Sequence, residues 1–295
     1  MAAPLTKLNW LVQPKLTLVY ALEALMRGRP VADVVLASKL SRVAQALNGA
    51  LHLDFKGNER FLEHFVPVSA RIDSMRERLR VTLTRIAGRS RADAYLDRYC
   101  SHLDKLSEAG FGELERLTRE RPILHDELMM QWKMHGTPLL ANIIRWAEPS
   151  ILVEQADAIV IHPVTEGYGT TYPLHNLLCV EGSYHAAAAP PDVVRLAWQV
   201  SLLATDLPRV ADQFPSLQRS IQVSSVAHVP VVLMAAQDLE LTKFDRPTLE
   251  QSLADWLGPS VATPERAEGV WLWWEVYRDT RPPWPTALKT LERLV

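Results

Sequence analysis

An interruption in an otherwise helical pattern constrains this chain most. Between Asp157 and Gly182 the three- and four-residue spacing of apolar side chains stops. Residues 158–164 form a short β-branched run, the glycine pair Gly167 and Gly169 follows, and a second apolar run at 176–180 closes on Gly182. Two such runs around a Gly-containing connection predict a β-hairpin, with a connection longer than the tight two-residue kind. Pro163 cannot donate to a ladder, so its strand belongs at an edge or ends there. A lone hairpin is marginal in water and must lie against helices.

Helical periodicity frames this segment on both sides. Val68, Ile72, Met75, Leu79, Leu83 and Ile86 fall on one helical face, with Pro67 at the predicted start and Gly88 at the C-terminal cap. The next helix starts on Ser90, turns Tyr95, Tyr99, Leu103 and Leu106 inward, and is expected to stop at Gly110. Further helices are expected over about 15–27, 31–50, 122–135, 138–147, 192–205, 216–236, 248–257 and 264–277, and a short one closes the chain. Pro230 is expected to kink or split the 216–236 helix. The fold class read from this pattern is mainly α: an irregular helical bundle or stacked helical hairpins with one small β-hairpin near 157–182. It is read as a single domain over 1–295, with a subdivision near 186–191 as the alternative.

Composition narrows the function classes. With 48% hydrophobic residues and nine Trp, the chain can bury a large core. Thirty-two basic against 34 acidic side chains leave no strong field for nucleic acid, which is not an expected partner. The most apolar stretches, 139–144 and 229–236, fall short of the roughly 20 residues that span a bilayer, so no membrane partner is expected. No cationic segment leading into an apolar run opens the chain, and Cys100 and Cys179 form no disulfide-dense pattern. Both point to the cytoplasm.

The search for chemistry finds no HExxH, Walker-type loop, GxSxG elbow or EF-hand loop, and Gly167-x-Gly169 lacks the third glycine of a dinucleotide fingerprint. The densest polar constellation lies at the expected hairpin, where His162, Glu166, His175 and His185 are the candidate catalytic residues. An imidazole and a carboxylate can act as general base and acid. The spacing matches no metal motif, so neither metal nor cofactor is expected. A competing reading makes these histidines local hydrogen-bonding groups on a half-exposed hairpin. His125 and His135, beside Met129, Met130 and Met134, read as core filling.

Two further features suggest partner binding. Arg71, Arg78 and Arg85 recur every seven residues within a segment, 71–98, that carries eight arginines against four acids. Trp271, Trp273 and Trp274 crowd one helix, with Trp271 and Trp274 expected to share a face with Tyr277. The leading functional expectation is an accessory or interaction module that binds another protein or a second copy through these residues. The alternative is an enzyme or ligand-binding protein with its site at the 162–185 hairpin.

Overall fold

The computed structural model describes residues 6–165, 169–182, 190–258 and 261–294, without the side chains at 107–109 and 111. Of the described residues 69% are helical, and a four-stranded mixed sheet lies among the helices. The strands are β1 (Lys7–Val12), β2 (Gln155–Ile161), β3 (Thr170–Tyr172) and β4 (Leu177–Glu181), in the order β1-β2-β4-β3.

The pairing differs from a simple hairpin. The two apolar runs pair parallel, with Asp157 opposite Leu177 and Ile161 opposite Glu181. Parallel neighbours need a crossover, and residues 162–176 supply it. Within it β3 runs antiparallel to β4, with Tyr172 opposite Leu177, so a small antiparallel hairpin does occur inside 157–182. Strand is not confined to that window, however. β1 pairs parallel with β2 from the far end of the chain, with Lys7 opposite Gln155. Its side chains are exposed or only half-buried, so it carries little of the apolar alternation that marks a strand.

Both faces of the sheet are covered. Ala158, Val160, Leu178 and Val180 point into one apolar core, and Ile159, Ile161, Leu177 and Cys179 into another. The second core is built by α1 (Leu16–Met26), α2 (Val34–Phe55), α3 (Glu59–Ser69), α4 (Met75–Ala87) and α5 (Arg89–Glu120). The first is built by α6 (Asp126–Trp146), α7 (Asp192–Ser201), the short α8 (Pro208–Ala211), α9 (Leu217–Gln237), α10 (Arg246–Leu257), α11 (Pro264–Thr280) and α12 (Trp284–Glu292). α6 precedes β2 in the chain yet packs on α7 and α9. α9 is long and apolar enough to cross a membrane by length and composition, and most of it is buried in this core.

Several helix boundaries depart from the sequence pattern. Pro67, Pro138 and Pro230 sit inside α3, α6 and α9 rather than opening or breaking them. An interior proline costs about 3 kcal/mol, which the tertiary burial of these helices offsets. Gly110 does not stop α5; a Cβ there would meet Leu18 Cδ1 at 2.8 Å, so the glycine lets α1 and α5 approach. The helix expected from Val68 to Ile86 is two helices, with Arg71 in the connection and Ser74 capping α4 through the N–H of Glu77.

Leu79 and Leu83 are buried, whereas Arg78 is half-buried and donates from Nε to the Ile72 carbonyl, closing the α3–α4 connection. Leu79→Ala should therefore cost about 2–5 kcal/mol. Arg78→Ala should cost about 1 kcal/mol, the net worth of one hydrogen bond, instead of the near-zero value of a free surface arginine. Urea unfolding of both variants checks the ranking; a larger loss for the arginine would place the wrong face inward.

Candidate functional site

The sequence-derived candidates separate in space. His162 follows β2 and is 1% exposed. Its Nδ1 lies 3.1 Å from Thr17 Oγ1 and its Nε2 lies 3.2 Å from Thr118 Oγ1. Thr118 already donates to the Leu114 carbonyl, so Nε2–H must donate to Thr118 while Nδ1 accepts from Thr17. This is a neutral, fully satisfied core histidine, held below its ordinary pKa by burial. Both of its ring nitrogens are engaged by threonines inside the core. Glu166 and His185 lie outside the described residues.

His175 does reach other candidates. It closes the 3-10 turn Pro173–His175, where Asn176 takes a left-handed conformation at φ 45° and accepts from the Asp157 N–H. His175 Nε2 lies 2.9 Å from His64 Nδ1 on α3, and Arg85 Nη1 lies 3.4 Å from His175 Nδ1. Arg71 reaches Asp157 Oδ2 at 3.2 Å and the His175 carbonyl at 3.5 Å. Burial first, then His64, Arg85 and Arg71, push His175 down to about 4. His64 moves the same way, from burial, Arg85 and Arg60. Two residues of the arginine stripe and one candidate histidine therefore converge, while Arg78 turns to the backbone.

The tryptophans are mostly internal. The buried face of α11 is Val270, Trp273, Trp274 and Tyr277, the i, i+3, i+4, i+7 set, rather than the face through Trp271. Trp273 stacks on Tyr277 with centroids 5.4 Å apart and donates to the Ala287 carbonyl. Trp273 and Trp274 are core residues, 5% and 0% exposed; of the three, Trp271 is half-buried, against Phe244.

Sequence reasoning missed the cleft where the two helical layers meet beside β3. It encloses about 560 Å³. One wall is apolar: Leu202, Leu217 and Ile221, with Trp256 and Leu257 at the end of α10. Trp198 and Trp256 are tilted against each other at 5.4 Å, and Trp198 Nε1 donates to the Ser225 carbonyl. The opposite wall carries Arg27, Arg29 and Glu63, and β3 forms the floor through Thr170, Thr171 and Tyr172.

That polar wall is anchored by buried groups. Glu23 is 2% exposed; it accepts from Arg27 Nε at 2.7 Å and from Tyr172 Oη at 2.9 Å. Arg29 Nη1 donates to Thr170 Oγ1 at 2.8 Å, and Thr170 in turn donates to Tyr20 Oη. Burial, aided by nearby carboxylates, drives Tyr20 and Tyr172 well above the ordinary phenol range, so both stay protonated. Burial also raises Glu63. The sequence did carry one signal: Glu23 is the only charged residue in the apolar helix LTLVYALEALM, with Arg27 and Arg29 directly after it. A charge in such a helix needs a buried partner.

Other groups with catalytic potential are closed off. Ser201 Oγ lies 2.9 Å from His228 Nδ1, but Ser201 donates to the Trp198 carbonyl, so the imidazole donates to the serine and does not activate it. The buried thiol of Cys179 is pushed well up by burial. Among the described residues no three His, Cys, Asp or Glu side chains gather at one point. Comparison with protein-family models, curated proteins and solved structures finds no match for this chain.

Removing Arg27 leaves Glu23 as a buried charge without its cation, so Arg27→Met should cost about 3 kcal/mol or more; Glu23→Gln should cost less, with both read by urea unfolding. His228 supplies a pH signature. Burial lowers it to about 3 when folded, while the unfolded imidazole titrates near 6.5. The unfolded state then binds more protons between those values, and stability falls as pH drops from about 6.5 toward 3. His228→Asn should be less stable at neutral pH yet lose less between pH of about 6.5 and 5; an unchanged slope would show that His228 does not titrate on unfolding.

Proposed function

We propose that this protein binds a small organic molecule in the cleft beside β3, and that the ligand joins an apolar or aromatic body to an anionic end. The observation that carries this reading is the division of the cleft walls. Its volume of about 560 Å³ lies within the common range for small-molecule sites. One side offers Leu202, Leu217, Ile221 and Trp256, and the other holds Arg27 and Arg29 in fixed positions. Such pockets take orientation from a few convergent polar groups and affinity from the apolar wall. The cleft is floored by 170–172, inside the hairpin segment, so the reading keeps the ligand-binding alternative and relocates its residues. The interaction-module reading gains less support, because Trp273 and Trp274 are inside and Arg71 and Arg85 turn toward His175.

Medium-chain carboxylates such as decanoate, and the fluorescent probe 8-anilinonaphthalene-1-sulfonate, test the proposal. At a ligand concentration of about 100 times Kd the folded state gains about 2.7 kcal/mol, a clear rise in Tm. Ile221→Trp fills the apolar wall and should abolish the rise while circular dichroism stays the same; Arg29→Gln should weaken carboxylate binding more than probe binding. Stabilisation that survives Ile221→Trp would place the ligand elsewhere and overturn the reading.

A further inference from the structure

We propose that Arg71, Arg85, His64 and His175 form a binding site for a phosphate-type dianion, separate from the cleft. The four side chains arrive from different places: His64 from α3, Arg71 from the α3–α4 connection, Arg85 from α4 and His175 from the turn between β3 and β4. All four can donate hydrogen bonds, and a guanidinium fork suits tetrahedral oxyanions.

The charge balance at this place is incomplete. Arg85 makes no ion pair among the described residues; its polar neighbour is the ring of His175. Among the described residues the carboxylate in contact with the group is Asp157, which faces Arg71 from β2 and is also held by Asn9 Nδ2 at 3.2 Å. Arg60 adds a third positive charge from α3, while Glu63 on the same helix faces Arg27 and Arg60. Arg71, Arg85 and Arg60 thus stand around the two imidazoles, with Asp157 against Arg71 and Glu63 near Arg60. The cationic form of both imidazoles is disfavoured here, since His175 and His64 are both held below the ordinary histidine range. An anion changes this arrangement in one step. It replaces the imidazole as the acceptor for Arg85, uses the Arg71 N–H groups not engaged by Asp157, and lets the histidine pair accept a proton.

The site is also pre-formed, since the His175 turn is fixed by the Asp157 N–H to the Asn176 carbonyl, and α3 and α4 pack together. Binding is coupled to protonation. Because the anion raises the histidine pKa values, complex formation takes up protons, and affinity rises as pH falls through the bound-state values toward the lower free-state ones. Sulfate, whose own charge does not change in that range, isolates this contribution.

The test is a titration with inorganic phosphate at a pH of about 8.5, high enough that inorganic phosphate, like its monoesters, is a dianion, following imidazole proton resonances and binding heat. His64 and His175 resonances should move together and saturate. The pKa of His175 should rise by at least one unit in saturating anion. Arg85→Gln, which removes no ion pair, should weaken binding about tenfold or more, while the cleft variant Ile221→Trp should leave it unchanged. Sulfate affinity should increase as pH falls. Phenyl phosphate separates the sources: tighter binding than inorganic phosphate assigns the site to phosphomonoesters, and equal binding assigns it to the free anion. Resonances of His64 and His175 that do not move, or phosphate affinity unchanged in Arg85→Gln, would overturn the proposal. Both outcomes are independent of whether decanoate binds in the cleft.

Discussion

Strand β2 is hydrogen-bonded on both sides by parallel neighbours, β1 and β4, and the rest of the fold follows from satisfying that strand. Its backbone groups are paired within the sheet, so its side chains are free to be apolar on both faces; Ala158, Ile159, Val160 and Ile161 are all fully buried. A parallel partner cannot be reached by a tight turn. The β1–β2 connection therefore carries six helices, and five of them pack on one face of the sheet while the sixth crosses to the other. Neither apolar core closes without the sheet, because each uses alternate residues of the same two strands. A side chain lost from β2 is felt by one core only, according to the parity of its position.

Buried polar groups in this protein come in locally satisfied sets rather than as one long network. Glu23 is matched by Arg27 and Tyr172, His162 by two threonines, and His228 by Ser201. Each set pins one helix to something distant in sequence: α1 to β3, α1 and α5 to the end of β2, and α9 to α7. Such sets contribute little net stability while complete, but removing one member exposes the full desolvation cost of the others. They fix how the helices sit, while the apolar burial around them supplies the driving force.

The helices were legible because their apolar spacing is strong; α7, α10 and α11 lie where helices were expected, whereas the break between α3 and α4 was not foreseen. The sheet was only half legible. Continuous apolar runs at 158–161 and 177–180 mark strands buried on both faces, which is the signature of parallel pairing. Their nearness in sequence suggested a hairpin, and no local signal distinguishes the two until the crossover length is weighed. β1 was invisible because its side chains lie at the protein margin and its partner is 148 positions away. At the candidate site, Arg71, Arg85 and His175 were singled out separately, but their meeting depends on the α3–α4 break and the β3–β4 turn. The cleft depended on contacts between α1, β3, α9 and α10, elements whose relative placement only tertiary packing determines.

The placement of the polar chemistry is a consequence of that sheet. The middle of β2 and β4 offers no room for charge, since both faces are sealed by helices. Polar side chains are displaced to the strand ends and to the free edge of β3. Asp157 stands where β2 begins to pair with β4, beside the turn that carries His175, and His162 and Glu181 stand at the other end of that pairing. β3 is the last strand in the order and only three residues long, and an edge of that length offers little backbone for unwanted pairing. Its short length also brings Gly169 and Leu174, at its two ends, to the cleft, while the next residue after Leu174 is His175. The apolar cleft and the cationic cluster therefore share two supports, α3 through Glu63 and His64, and the turn through Leu174 and His175. A sheet too well sealed to host chemistry in its centre leaves its short edge strand, and the helix beside it, as the places where solvent, charge and apolar surface meet.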